Sequence, residues 1–209
     1  MSIDRHDRQA ERPWNPVTAR ARLTLMGLEG VLIPLALFFG WLVGRPALET
    51  LAWTNRAWVL GIAATLPPGL LFAAVQTWPV GPLRRLQRTV DELLIPLFRE
   101  WSVAELVAVS LLAGVGEEML FRGVLQAALS ELFGPIAGWL VASAIFGLVH
   151  FISPLYAVFA TLMGLYLGLL WSWSGNLLVP IATHGLYDFV VLLSLTKLHQ
   201  PRTRPLSDS

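Results

Sequence analysis

The chain has no cysteine, a single lysine (Lys197), and charged residues at only 14% of its 209 positions. Without cysteine there is no disulfide framework and no thiolate to act as nucleophile or ligand. A soluble domain of this size carries about a quarter charged residues, so this composition argues against an ordinary water-soluble fold. Segments of alternating polarity about ten residues long are also missing, which excludes β-barrel spans. The net charge of +1 selects no partner class, and no nucleic-acid partner is expected.

What is present is apolar sequence, 55% of the chain, in long runs at 23–43, 58–78, 103–116, 135–151, 155–173 and 177–195. Several reach the roughly 20 residues that cross a bilayer as a helix. The expected fold is all-α: a polytopic transmembrane bundle of about six spans plus one interfacial amphipathic helix. The first run follows 22 polar residues and is too long for a signal-peptide core, so it reads as a retained span. The expected organisation is a mobile cytoplasmic tail (1–22), one transmembrane helical domain (23–196) with a catalytic core at about 100–195, and a polar C-terminal tail (197–209).

Basic residues gather in three places: Arg5, Arg8, Arg12, Arg20 and Arg22; then Arg84, Arg85, Arg88 and Arg99; then Lys197, Arg202 and Arg204. Six spans with both termini in the cytoplasm put all three on one side, as the positive-inside rule prefers. A bacterial inner-membrane location fits the short chain. Within 80–98, Leu83, Leu86, Val90, Leu93, Leu94 and Leu97 recur at helical spacing, with Arg84, Arg85, Arg88 and Asp91 off that stripe. This predicts an amphipathic helix, broken near Pro96, that lies on the membrane surface or packs on the bundle as a linker. Pro67-Pro68 predicts a kink or break in the second span.

Ionisable side chains inside apolar spans are costly and face the bundle interior, so they are candidates for function. They are Glu29, Glu105, Glu117, Glu118, Arg122, His150, His184 and Asp188. Glu29 and Glu105 lie near the starts of their runs and are expected to reach headgroups. Glu118 and Arg122, four apart on one helix face, predict a pair that lets both charges persist in the span. Glu117 points about 100° away from Glu118 and must find a partner elsewhere or be protonated. Gly114 and Gly116 would let another helix approach closely. His150 alone reads as an interfacial residue, and His184 with Asp188, again four apart, as a local hydrogen-bonded pair.

Depth connects them. Glu117 lies 16 residues before Phe133 and His150 lies 17 after it. At 1.5 Å per residue both sit about 25 Å from that turn, side by side on antiparallel neighbours. His184, about nine residues past the turn at Gly175, matches that depth only if the turn, with Pro180 after it, is sunk in the bundle.

The segments "EEMLFR", "FGLVH" and "HGLYD" occur in this order with helix-sized gaps. Together they resemble the EExxxR, FxxxH and HxxxN/D motifs of the CPBP family, the CAAX prenyl protease 2 and bacteriocin-processing (Abi) group of glutamate-type intramembrane endopeptidases. The resemblance covers roughly residues 83–195. It implies that Glu117 is the general base that activates a water, with His150 as its helper. His184 and Asp188 would stabilise the oxyanion, while Glu118, Arg122 and, within FxxxH, Phe146 support the site. Asparagine is the commoner residue where Asp188 stands; an ionised Asp188 would instead accept from and orient a neighbour such as His184. No cofactor is implied, and the partners would be a hydrophobic or lipid-anchored peptide or protein and the membrane lipid.

The chemistry is coherent on its own terms. A carboxylate shielded from water is a better base at neutral pH, and imidazole donors act strongly on developing negative charge where water is scarce. Two other classes remain open. The same acids and histidines could hold a divalent metal in a metal-dependent hydrolase. Alternatively, the polar residues could merely hold the helices of a non-enzymatic immunity or scaffold protein.

Overall fold

The computed structural model describes residues 16–78 and 80–198. The expected terminal tails fall largely outside these; the chain is already helical from Pro16, seven residues ahead of the expected start. The helices are α1 (Pro16–Leu42), α2 (Asn55–Ala64), α3 (Leu66–Thr77), α4 (Pro82–Phe98), α5 (Val103–Glu118), α6 (Ala127–Phe133), α7 (Pro135–Val149), α8 (Pro154–Ser174) and α9 (Leu178–Leu193). Two π-helical stretches continue α5 into α6 (Met119–Gln126) and extend α9 (Ser194–Leu198). No strand occurs among the described residues.

Local sequence explains the boundaries. α5 starts with a capping box: Ser102 accepts from the Glu105 N–H, and Glu105 returns a bond to the Ser102 N–H at 2.6 Å. This satisfies two of the amides that a helix start leaves unpaired. Glu105 is held further by Arg22 at 3.2 Å. The second span breaks at Thr65, just ahead of Pro67-Pro68, where proline removes the N–H groups that would continue the ladder. α4 corrects another expectation: it passes through Pro96 and ends two residues later. Gly134, at φ +88°, and Gly175, at φ +63°, turn the chain between α6 and α7 and between α8 and α9.

The outer surface is apolar. Phe38, Trp41, Ile62, Leu70, Leu162 and Trp173 are all exposed, which a water-soluble monomer does not do over so wide an area. Four helical segments are long and apolar enough to cross a membrane: 20–42, 55–77, 154–174 and 178–197. α7 is shorter, and the α5–α6 helix carries the charged motif in its middle. The molecule is a helical membrane bundle with a polar centre.

α5 and α9 form the middle of the bundle. Leu178 to Gly185 are buried without interruption. α1 runs parallel to α5, joined by Arg22–Glu105 at one end and by Ala36 against Met119 at the other. α4 lays Leu86 and Phe98 inward and keeps Arg84, Arg85 and Arg88 outside, while Leu93 and Leu97 stay exposed. The α8–α9 turn is covered by the α1–α2 link. There Asn176 bonds the Ala52 N–H and carbonyl, and the Leu177 N–H donates to Thr50.

Candidate active site

Glu118, Arg122 and His184 form the buried foundation of the site. Glu118 is fully buried and its Oε1 accepts from Arg122 at 2.6 Å and from His184 Nδ1 at 2.8 Å. Arg122 also donates to the Gly164 carbonyl of α8 at 2.9 Å, and its guanidinium lies 4.8 Å from the Phe146 ring centre. A buried ion pair repays its desolvation only when the remaining donors and acceptors are engaged. Here α8 supplies a carbonyl to Arg122 and α9 an imidazole to Glu118 Oε1, while Glu118 Oε2 has no hydrogen-bond partner among the described residues. The 118–122 pair of the sequence is therefore present, and His184 joins it.

Glu117 faces the other way. It is 6% exposed, its Oε1 lies 3.6 Å from His150 Nε2, and its Oε2 has no hydrogen-bond partner among the described residues. The depth count about Phe133 thus leads to two side chains that meet. His150 caps α7 and its Nδ1 donates to the Phe146 carbonyl at 2.8 Å, while its ring stacks on Phe146 at 4.5 Å. With Nδ1 as donor, the neutral ring turns a lone pair on Nε2 toward Glu117. Two acceptors facing each other at 3.6 Å leave room for a donor shared between them.

His184 reaches this centre because the α8–α9 turn is tucked beneath the α1–α2 link. Its Nδ1 is committed to Glu118, and its Nε2 stands 3.4 Å from Asp188 Oδ2. The second distance is long for an N–H···O bond, so in the doubly protonated imidazolium, which alone carries a proton on both nitrogens, Nε2–H is the less committed donor. Asp188 sits as an acceptor toward His184.

The two glycines do what their spacing suggested. A Cβ on Gly114 would stand 2.8 Å from the Gly185 nitrogen of α9, and one on Gly116 would stand 3.0 Å from the Glu29 carbonyl of α1. Each glycine lets a neighbouring backbone close on α5 immediately beside Glu117.

A cavity of about 260 Å³ opens on these groups. Glu117, His150, His184 and Asp188 line its polar end, and Phe72, Leu86, Val90, Leu94 and Phe98 are among the apolar lining contributed by α3 and α4. Glu29 lines it too, with a buried Oε2 that accepts no hydrogen bond among the described residues. The headgroup expectation for Glu29 is therefore corrected. Ser110 and Tyr156 line the cavity as well and were not singled out by the sequence. The signal for Ser110 was available: it lies seven residues before Glu117, on the same helix face.

Residues 99–190 match the family described as type II CAAX prenyl endopeptidase Rce1-like. An uncharacterized protein of Bacillus subtilis (strain 168), YpbD, is 34% identical over 111 residues, which cover 52% of this chain and 54% of that protein. The chain thus spans about half the length of that curated relative. No solved structure matches the chain.

Proposed function

From a chain whose residues 99–190 match the Rce1-like family, we propose an intramembrane endopeptidase in which Glu117 activates water to hydrolyse a peptide bond. The observation that supports it most is the buried Glu117 carboxylate, 3.6 Å from His150 Nε2 and open to a cavity with apolar walls. A water donating to both acceptors is polarised for attack. Its oxygen adds to the scissile carbonyl carbon while Glu117 takes the proton. His184, as an imidazolium with Nδ1–H on Glu118, offers Nε2–H, the less committed donor, to the oxyanion, and Asp188 orients that ring. Collapse breaks the C–N bond, and Glu117 returns the proton to the leaving amine. Glu118 and Arg122 hold His184 and the α5 helix in register. Hydrophobic or lipid-anchored peptides are the substrates the apolar walls favour, in a bacterial inner membrane with both termini cytoplasmic.

Hydrolysis without a metal is part of the proposal. Glu118 Oε1 is already engaged by a guanidinium and an imidazole. Among the described residues no group of three His, Asp or Glu side chains is placed to hold a metal ion. The test is cleavage of apolar quenched-fluorescence peptides by the purified full chain in liposomes. Cleavage is expected to persist in a chelator and to fall by at least ~100-fold in Glu117→Gln with an unchanged unfolding temperature. Cleavage lost to chelator and restored by a divalent ion supports the metal-dependent class. Cleavage equal in Glu117→Gln ends the glutamate mechanism.

A further inference from the structure

The catalytic proposal uses one end of the cavity and leaves two polar groups in it unexplained. Glu29 of α1 lines it and has a buried Oε2 with no hydrogen-bond partner among the described residues. Ser110 of α5, 2% exposed, places an Oγ there that is likewise unpartnered. A serine within a helix ordinarily returns its hydroxyl to a carbonyl one turn back; Ser110 makes no such bond among the described residues, although Thr161, Ser143 and Thr183 do. Buried polar atoms left unsatisfied are costly, and two in residues lining one cavity point to a ligand that satisfies them.

The two groups are close in depth. A Cβ on Gly30 would stand 4.0 Å from Leu112, and one on Gly116 would meet the Glu29 carbonyl, so Glu29 lies level with residues 112–116 of parallel α5. Ser110 is half a turn beyond that level. A Cβ on Gly185 would stand 3.2 Å from the Ser110 carbonyl, which brings Asp188, one turn further along antiparallel α9, beside Ser110. In this polar ring Ser110 sits about 10 Å from Glu117 along α5, seven residues at 1.5 Å each, and Glu29 lies between the two levels. The ring is acidic, and no lysine or arginine lines the cavity. The nearest arginine of the motif, Arg122, is spent on Glu118 and the Gly164 carbonyl. A substrate carboxylate is repelled there, whereas an ammonium or guanidinium finds unfilled acceptors and makes charge-assisted hydrogen bonds.

We propose that Glu29 and Ser110 form a subsite for a Lys or Arg side chain of the substrate, within about three residues of the bond to be cut at the ~3.4 Å rise of an extended chain, with Ser110 at its far edge. The proposal rests on the hydrolase reading above and adds a charge preference to an otherwise apolar substrate. The probes are apolar peptides that carry a single Arg, Gln or Glu at each of the four positions on either side of the cleaved bond. Binding is read by fluorescence anisotropy on the Glu117→Gln protein, which needs no turnover, and cleavage is read on the protein with Glu117 intact. At one position, no further than the third, the Arg peptide is expected to bind at least tenfold more tightly than the Gln peptide, with the Glu peptide weakest. Adding Glu29→Gln is expected to bring the Arg-to-Gln ratio to about one, Ser110→Ala to reduce it, and Glu29→Asp to retain part of it. Folding is checked by the unfolding temperature of each variant; should Glu29→Gln not fold, the Ser110→Ala and Glu29→Asp ratios carry the test. An Arg preference absent at every position, or one that survives Glu29→Gln, overturns the subsite. Cleavage that is independent of Glu117 overturns the hydrolase reading instead, while the anisotropy ratios still decide the subsite.

Discussion

Gly114→Ala adds one methyl group where α5 and α9 meet backbone to backbone. The new Cβ would stand 2.8 Å from Gly185 N, 2.9 Å from Gly185 Cα and 3.1 Å from Ile181 O. All three are backbone atoms, so no side-chain rotation relieves the contact. Ordinary contact begins at 3.4 Å, and α9 must retreat by about 0.6 Å in a core packed like an organic crystal. His184 and Asp188 ride on α9, whereas Glu117 and Glu118 ride on α5. The retreat therefore stretches the 2.8 Å bond from His184 to Glu118 past the ~3.2 Å limit of a good N–H···O bond. Overpacking of this kind costs about 1–3 kcal/mol. Displacing reacting groups by about 1 Å costs up to ~100-fold in rate, so a loss of roughly 10- to 100-fold in kcat/KM is expected. The assay is peptide hydrolysis in liposomes, run well below the unfolding temperature of the variant, with thermal unfolding in detergent alongside. Gly69→Ala is the control: nothing lies within 4 Å of its Cβ, and a helical alanine is neutral or slightly stabilising there. Unchanged activity and stability in Gly114→Ala, or equal losses in Gly69→Ala, would refute the reasoning.

Three further outcomes follow from the packing. Arg122→Met leaves Glu118 buried without its principal cation and is expected to lower unfolding stability in detergent by about 3–5 kcal/mol; a loss under ~1 kcal/mol would mean that the pair is not holding the helix. Ser102→Ala removes the α5 capping box and should cost about 1 kcal/mol while peptide hydrolysis stays at its original rate. Arg45 pairs with Glu131 and Glu49 on a surface where both acids are 55% exposed, so Arg45→Ala should cost at most ~1 kcal/mol, and less in high salt.

Much of the fold could be read from apolar run length alone, because lipid forces backbone hydrogen bonding inside each segment and leaves the helix as the answer. The meeting of Glu117 and His150 was legible for an equally simple reason. Rise per residue is constant, so equal counts about the Gly134 turn give equal depth. His184 was harder, because its depth depends on how the 175–178 turn is covered. That covering comes from Thr50 and Ala52, more than a hundred residues away in sequence. Glu29 was misread because its nearness to the start of an apolar run suggested a route to the headgroups. α1 instead begins at Pro16, which places Glu29 fourteen residues into a helix that closes on Gly116. The π-helical stretch at 119–126 left no trace in the apolar pattern; such turns are frequent at functional sites, and this one follows Glu118 directly. The break at Pro67-Pro68 was legible and the helical course through Pro96 was not. Pro96 lacks the N–H that would bond the carbonyl one turn back, and the helix continues only two residues past it.

The central claim is that Glu117 and His150 act on one water as a unit, and a double-mutant cycle on hydrolysis tests it most directly. Glu117→Gln, His150→Asn and the double variant are compared with the unaltered chain under single-turnover conditions, with unfolding temperatures matched. Groups that act together lose nearly everything in the first substitution, so the double variant is predicted to be no slower than the slower single variant. Losses that multiply across the two substitutions, or a Glu117→Gln protein that cleaves at the rate of the unaltered chain, would contradict the account.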